Sequence, residues 1–221
     1  MDSQTAYDHI VRGALMAGMR GYFPPATAIE VAHVLLENGR INVFEMTMNS
    51  VDALEAMQAV KQVYGDNAVV GMGTVLDVEM ARRALDAGAD FVVAPSFNRA
   101  VCDLVHAAGV LMIPGVITPT EAVDAWATGA KLIKIFPIGN LGVDYFKTVR
   151  GPLDHIKFMC NGGMNEVNAA EFLKAGAVAC GMANWLTGDG HMALDLIARR
   201  ARVLRDNVDA VRSGQRDRTS V

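Results

Sequence analysis

The chain has 221 residues, of which 52% are hydrophobic and 20% charged, and its formal net charge is −4. This composition excludes an intrinsically disordered chain and a fibrous repeat, and a chain of this length can bury a core without metal or disulfide staples. The basic residues are scattered along the sequence, so no nucleic-acid-binding surface is indicated. A small anionic ligand would therefore need a local binding site.

The three cysteines, Cys102, Cys160 and Cys180, form an odd set without a CxxC pair. This pattern favours a reducing compartment and argues against a disulfide framework or a zinc knuckle. The first residues lack the basic region and the apolar stretch of a signal peptide, and no apolar run reaches the roughly 18 residues of a membrane-spanning helix. We therefore expect a soluble cytoplasmic protein.

A unit of one strand and one helix repeats along the chain. Glycines that close apolar helical stretches recur about every 20 to 26 residues, and a short strand-like run follows each of them. Helix starts are marked as well: Thr118 and Glu121 form a capping box, and Asp77 and Asn165 are predicted N-caps. The eight predicted strands span residues 15–20, 42–47, 68–73, 91–94, 110–114, 132–136, 156–160 and 177–181.

Eight such units predict a single (β/α)8 TIM barrel of the α/β class, with an extra N-terminal helix over about residues 4–16. No linker rich in Pro, Gly or Ser divides the chain, so we assign residues 1–207 to one domain and residues 208–221 to a polar C-terminal tail. Active sites of such barrels lie at the carboxyl ends of the strands. The candidate site residues are therefore the last inward-facing residues of each strand.

Lys134 lies in the predicted strand 132–136, where period-two alternation places Leu132, Lys134 and Phe136 on one face. Burial among apolar side chains lowers the pKa of a lysine, which is the property that a Schiff-base nucleophile requires. A strand-end lysine that reaches solvent, or one in a buried ion pair, is the structural alternative. Position favours the catalytic interpretation.

Glu45 shares the inward face of its strand with Val43 and Thr47, so it points into the same barrel interior as Lys134. A carboxylate beside an imine can move protons as a general acid and base. Glu45 could equally be the structural counter-ion of Lys134, and both roles can hold together.

Other strand ends carry candidate substrate-binding residues. Thr74 follows Gly71 and Gly73, which permit close backbone approach, and its hydroxyl can donate to a carboxylate. Arg20 could clamp a carboxylate or phosphate, or form an ordinary salt bridge at the barrel rim. Pro95 has no N–H group and can only shape the pocket or offer its carbonyl oxygen.

The segment Asn161, Gly162 and Gly163 precedes a helix that starts near Asn165, which is the arrangement of a phosphate cradle at a helix N-terminus. In such barrels the loops after the last two strands commonly share a phosphate site, so Asn184 is the second candidate ligand. The histidines lie away from the predicted strand ends, and we expect no metal and no cofactor.

The residues Glu45 to Thr47, Gly71 to Val75, Pro114 and Gly115, Lys134 to Pro137, and Gly162 and Gly163 together resemble the 2-keto-3-deoxy-6-phosphogluconate aldolases, in order over nearly the whole chain. The resemblance implies a metal-free class I aldolase, usually a homotrimer, that cleaves a 2-keto-3-deoxy-6-phospho sugar acid to pyruvate and glyceraldehyde 3-phosphate.

The resemblance also implies roles for individual residues. Lys134 corresponds to the Schiff-base lysine and Glu45 to the general acid and base. Thr74 and Pro95 correspond to the pyruvate-binding residues, and Phe136 is a further substrate-binding candidate. The phosphate ligands are expected to be Gly162 and Gly163, joined by Asn161 and Asn184.

Three asparagines depart from the pattern of the gluconate enzymes. Asn49 stands where those enzymes usually have an arginine, and it resembles the 6-phosphogalactonate branch, as does Arg20 followed by Gly21; Asn49 is thus a further substrate-binding candidate. Asn161 and Asn184 stand where threonine and serine are frequent.

Other functions stay open at this stage. The alternatives are an aldolase for a shorter or unphosphorylated substrate such as 4-hydroxy-2-oxoglutarate, a phosphosugar epimerase or isomerase, and a non-catalytic barrel that binds a phosphosugar.

Overall fold

Strands and helices alternate around a parallel barrel in the computed structural model, which describes residues 1–219, with side chains to residue 214. Within these residues the helices are α1 (Ser3–Gly13), α2 (Pro25–Gly39), α3 (Ala53–Tyr64), α4 (Val78–Asp86), α5 (Arg99–Ala107), α6 (Pro119–Trp126), α7 (Gly142–Arg150), α8 (Glu166–Lys174) and α9 (Leu194–Thr219). The strands are β1 (Leu15–Met19), β2 (Val43–Thr47), β3 (Val69–Gly73), β4 (Phe91–Val93), β5 (Leu111–Ile113), β6 (Gly115–Val116), β7 (Ile133–Ile135), β8 (Phe158–Asn161) and β9 (Ala179–Met182).

The strand order shows how the barrel closes. The parallel sheet runs β5-β4-β3-β2-β1-β9-β8-β7-β6. Its two end strands, β5 and β6, are separated in the chain by Pro114 alone, so the fifth strand, predicted over residues 110–114, is divided at Pro114 and extends to Val116. Proline has no N–H group for the ladder, which explains the break. The predicted TIM-barrel fold is confirmed.

Local capping signals in the sequence form as predicted. The Asp77 side chain accepts from the N–H of Met80 and starts α4. Thr118 and Glu121 form a capping box at α6. Asn165 starts α8 in the same reciprocal way, with Asn168 as its partner. Because each of these caps starts its helix at a defined residue, it fixes where the preceding loop ends.

Two apolar layers hold the barrel together. One lies between the strands and the surrounding helices, and it includes Ile133 and Ile135. The other fills the barrel interior and joins Leu132, Val43 and Met159 to Ala6 and Ile10 of α1. The predicted N-terminal helix therefore closes the end of the barrel at which the strands begin.

The C-terminal segment differs from the polar tail expected from residue 208. Helix α9 runs through this position to Thr219, and Val208 and Val211 are buried in the outer apolar layer. These two valines follow Leu204 at helical spacing, so the apolar face of α9 continues past residue 207. Residues 220 and 221 lie outside the described part of the chain. Among residues 1–219 no helix combines the length and the apolar character needed to cross a bilayer.

Candidate active site

A cavity of about 500 Å³ lies at the carboxyl ends of the strands. It is bordered by residues from β1, β2, β7, β8 and β9 and by the loops that follow them. Most of the site residues predicted from the sequence line it: Arg20, Glu45, Lys134, Phe136, Asn161, Gly162, Gly163 and Asn184.

Lys134 lies in the middle of β7 and is only 3% exposed. Its neighbours Ile133 and Ile135 pack outward against the helices, so Lys134 faces the interior and its ammonium group reaches the cavity. Burial lowers the pKa of Lys134; the nearby Glu45 opposes this shift, and Arg20 adds to it. The Lys134 Nζ atom lies 5.0 Å from the centre of the Phe136 ring. Because burial is the largest of the effects on its pKa, a larger fraction of Lys134 is neutral than of a surface lysine.

Glu45 lies in β2, is 4% exposed and lines the same cavity. Its carboxylate occupies the space beside Gly73 of the neighbouring strand, where a Cβ atom would overlap Glu45 Oε1. The register that pairs Glu45 with Gly71 and Thr47 with Gly73 brings these residues together. The glycine at position 73 thus makes room for the carboxylate.

Arg20 and Thr74 meet at the rim of the barrel. Arg20 Nη2 lies 3.4 Å from Thr74 Oγ1. Thr74 has a φ of +58°, a conformation that is strained for a β-branched residue and that is found at functional sites. Although Thr74 does not itself border the cavity, the contact with Arg20 links its hydroxyl to the cavity wall.

Pro95 and Asn49 lie away from the cavity lining. Pro95 is half-buried after β4, and Gly115 packs so closely on it that a Cβ at 115 would overlap the Pro95 carbonyl group. Asn49 is exposed in the turn after β2. Their predicted contacts with substrate remain predictions.

The glycine pair forms the other end of the cavity. Gly162 and Gly163 both have left-handed backbones, with φ of +84° and +70°. A Cβ at 162 would lie 2.8 Å from the Phe136 ring, so the turn packs directly against that side chain. Asn165 lines the cavity and starts α8, so the N-terminus of this helix lies at the cavity wall. Asn184 lies exposed on the rim, in the loop after the neighbouring strand β9.

Comparison with known proteins decides the family. The family model described as "Aldolase: KDPG and KHG aldolase" matches residues 24–199. The chain belongs to the KDPG and KHG aldolase family. Membership confirms the predicted resemblance and makes the protein an enzyme of the carbon–carbon lyase class.

Individual relatives agree with this assignment. The chain is 33% identical over 202 residues to a probable 2-dehydro-3-deoxy-6-phosphogalactonate aldolase of Rhizobium meliloti, covering 91% of this chain and 94% of that protein. It is 36% identical over 161 residues to a 2-dehydro-3-deoxy-phosphogluconate aldolase of Treponema pallidum, covering 72% and 75%. A solved structure titled native KDPGal superimposes with a TM-score of 0.85 at 27% identity, covering 90% and 96%.

In this family member the cavity also holds residues that the sequence did not single out as ligands. Thr47 follows Glu45 on the inward face, and alternation alone could have identified it. Asn140 and Trp185 also line the cavity, and Asn140 lies against Gly163. No local pattern marks Asn140, because the short 3-10 segment Ile138–Asn140 brings it to the cavity only after the chain has turned at Pro137.

Charge in the aldolase cavity is confined to a few groups. Its lining includes Lys134, Glu45 and Arg20 as charged side chains, and the glycine end is bordered by the neutral amides of Asn140, Asn161, Asn165 and Asn184. Among the described residues, no three His, Cys, Asp or Glu side chains are grouped so that they could hold a metal ion.

Proposed function

We propose that this protein is a class I aldolase that forms a Schiff base through Lys134 and cleaves a 2-keto-3-deoxy-6-phospho sugar acid to pyruvate and glyceraldehyde 3-phosphate. The observation that supports it most is the placement of Lys134, a buried lysine with a lowered pKa, in one cavity with Glu45. A neutral amine and a carboxylate are the two groups that imine chemistry needs.

Imine formation comes first. Lys134 first gives an ammonium proton to Glu45, and the freed lone pair of Nζ attacks C2 of the 2-keto acid. The C2–O double bond opens, and a proton passes from the nitrogen to that oxygen to give a neutral carbinolamine. Glu45 in its protonated form then gives a proton to the C2 hydroxyl, which leaves as water while the C2–N double bond forms. The product is a protonated imine, and Glu45 is now a carboxylate.

Cleavage uses the imine as an electron sink. Glu45, through a water molecule, accepts the proton of the C4 hydroxyl, the C4 oxygen forms a carbonyl group, and the C3–C4 bond breaks. Its electron pair forms the C2–C3 double bond of an enamine, and the iminium nitrogen becomes neutral. Protonation at C3 and addition of water at C2 then release pyruvate and regenerate the Lys134 amine.

The substrate carboxylate binds next to the amine. Arg20 supplies a guanidinium group at the cavity and Thr74 a hydroxyl beside it, which together match a carboxylate. Phe136 packs against the carbon chain at the Lys134 end. Pro95 and Asn49 are proposed as outer contacts, reached when substrate fills the rim.

The phosphate group binds at the opposite end. Left-handed glycines such as Gly162 and Gly163 let an oxyanion approach the backbone closely, and the α8 N-terminus adds a favourable partial positive charge. Asn184 adds an amide donor on the rim. The phosphate is thus recognised by neutral donors, without a lysine or arginine among the residues that line this end.

The preferred substrate is the galacto-configured phosphorylated acid. Arg20 reaches the cavity and carries the carboxylate contact, which leaves Asn49 free of that task. The relative from Rhizobium meliloti, matched over most of both chains, bears the phosphogalactonate name. We further propose a homotrimer, which the family resemblance implies, and a cytoplasmic location, which the cysteine pattern favours. Sedimentation velocity tests the trimer, and a monomer would contradict it.

A pyruvate-release assay tests the proposal. The substrates are the 2-keto-3-deoxy acids of gluco and galacto configuration, each with and without the 6-phosphate, and 4-hydroxy-2-oxoglutarate. We expect the galacto phosphate to give a kcat/KM at least about tenfold above the others, the range that one well-placed contact provides. Asn49→Arg serves as the matched variant and should reduce the difference in kcat/KM between the gluco and galacto phosphorylated acids. Equal turnover of unphosphorylated acids would contradict the phosphate assignment.

A further inference from the structure

Asn161 is a buried residue whose side-chain oxygen lacks a hydrogen-bond partner among the described residues. It is 6% exposed, and its Oδ1 atom is enclosed yet accepts no hydrogen bond in the described part of the protein. Buried polar side-chain atoms nearly always have a partner, and exceptions indicate a missing ligand or a functional site. Asn161 also borders the cavity, so a ligand there can reach it.

The position of Asn161 lies between the two ends of the proposed substrate. Lys134 pairs in register with Met159, and Asn161 follows two residues later on β8, about 7 Å nearer the barrel mouth. The next residue is Gly162, the first of the glycine pair. The amide thus stands between the amine that binds C2 and the turn proposed for the phosphate.

Gly181 makes the room that this side chain occupies. The two residues are register partners in β8 and β9, and a Cβ at 181 would overlap the Asn161 amide. The Asn161 side chain therefore lies opposite a glycine, which has no side chain of its own.

The carbon chain of the proposed substrate offers two hydroxyl groups between C3 and the phosphate, at C4 and C5. The C4 hydroxyl gives its proton toward Glu45, which leaves the C5 hydroxyl. A hydroxyl can donate to Oδ1 or accept from Nδ2, and a half-turn of the amide exchanges the two atoms. Phosphate oxygens only accept, so they would leave Oδ1 unpaired.

We propose that Asn161 is the residue that recognises the C5 hydroxyl of the substrate, and not a phosphate ligand as the sequence suggested. This assignment rests on the proposed function. It makes Asn161 a specificity-determining residue for the acceptor half of the reaction, separate from Gly162, Gly163 and Asn184 at the phosphate.

The aldol direction tests this assignment with three acceptor aldehydes and pyruvate. Glyceraldehyde 3-phosphate has both the hydroxyl and the phosphate, 3-oxopropyl phosphate lacks the hydroxyl, and glyceraldehyde lacks the phosphate. The variant is Asn161→Leu, which keeps the approximate shape, and the matched variant is Asn184→Ala at the phosphate end. Exchange of the pyruvate methyl protons with deuterated water reports imine formation without any acceptor.

We expect Asn161→Leu to lower kcat/KM by about 30-fold or more with glyceraldehyde 3-phosphate and glyceraldehyde, and by less than about threefold with 3-oxopropyl phosphate. Pyruvate exchange should persist, which also shows that the variant folds. Asn184→Ala should instead lower kcat/KM with both phosphorylated acceptors.

Three results would overturn the assignment: a loss confined to the two phosphorylated acceptors, an equal loss with all three acceptors or in pyruvate exchange, and no change at all. Wild-type protein that neither exchanges pyruvate protons nor makes any aldol would instead refute the proposed function itself, so the two failures are distinguishable.

Discussion

The two ends of the barrel interior are built from the same strands and differ completely in character. Near the strand starts, Val43, Leu132 and Met159 pack with α1 into an apolar cluster. Two residues later on the same strands, the inward positions are Glu45, Lys134 and Asn161, and they surround the cavity. The period of two in each strand therefore sets an apolar layer below a polar one.

This difference separates stability from chemistry along the barrel axis. The lower layer buries apolar area and is closed by α1, so it stabilises the fold. The upper layer buries a lysine and a carboxylate, which costs free energy that the lower layer offsets. Substitutions in the lower layer should then change stability, and substitutions in the upper layer should change turnover.

The largest expected effect is that of Lys134→Met. Without the amine no imine can form, so cleavage should fall by about 10⁴-fold or more. The variant should stay folded with a somewhat lower free energy of unfolding, because Glu45 is left buried without the cation that faces it. Pyruvate release and urea denaturation measure the two quantities. Cleavage within tenfold of wild type would show that the upper layer is not the catalytic one.

The matching change in the lower layer is Ile10→Ala. Ile10 is fully buried where α1 meets the strands, so truncation should cost about 2–5 kcal/mol of unfolding free energy. The kcat/KM of the folded fraction should stay within about threefold of wild type. A large loss of turnover with unchanged stability would mean that the two layers are not separate.

Gly73→Ala should act on the chemistry through the backbone. The added Cβ overlaps Glu45 Oε1, so the carboxylate must move and cleavage should fall by about 10²-fold, the lower range for a lost general acid and base. Gly13→Ala is the control, because a Cβ there would lie 3.9 Å from the nearest side-chain atom, Asn42 Oδ1. Steady-state kinetics of both variants measures the contrast. Equal effects would indicate a general response to lost glycine.

The smallest expected effect is on pH dependence. Burial lowers the pKa of Lys134, and Arg20 lowers it further. Because the neutral amine is the nucleophile, imine formation rises with pH through that pKa. Removing the charge with Arg20→Met should raise the pKa and move the rise to higher pH. The pH profile of borohydride trapping with pyruvate measures it, and a shift to lower pH would contradict the electrostatic account.

Local patterns in the sequence predicted most of the fold. Turn glycines and caps such as Thr118 and Asn165 act over a few residues, so the strands and helix starts followed from them. Two features depend on contacts between residues that are far apart in the sequence. The helical face of α9 continues through Val208 and Val211 because the outer layer buries them, and the fifth strand divides at Pro114 where the barrel closes.

The active site likewise combines features set by local sequence patterns with features set by contacts distant in the sequence. Alternation and strand-end position placed Lys134 and Glu45 in the cavity, because both rules act within one strand. The role of Gly73 as space for Glu45, and that of Gly181 as space for Asn161, depends on the register between strands. Asn140 reaches the cavity through the fold of a loop, and no spacing in the sequence reports such a path.

Reductive trapping with pyruvate and sodium borohydride tests the central claim most directly. Reduction fixes the imine as a secondary amine, and peptide mass mapping then locates the adduct. We expect a single pyruvate adduct on Lys134, with exposed lysines such as Lys147 unmodified. No adduct, or an adduct on another lysine, would contradict it.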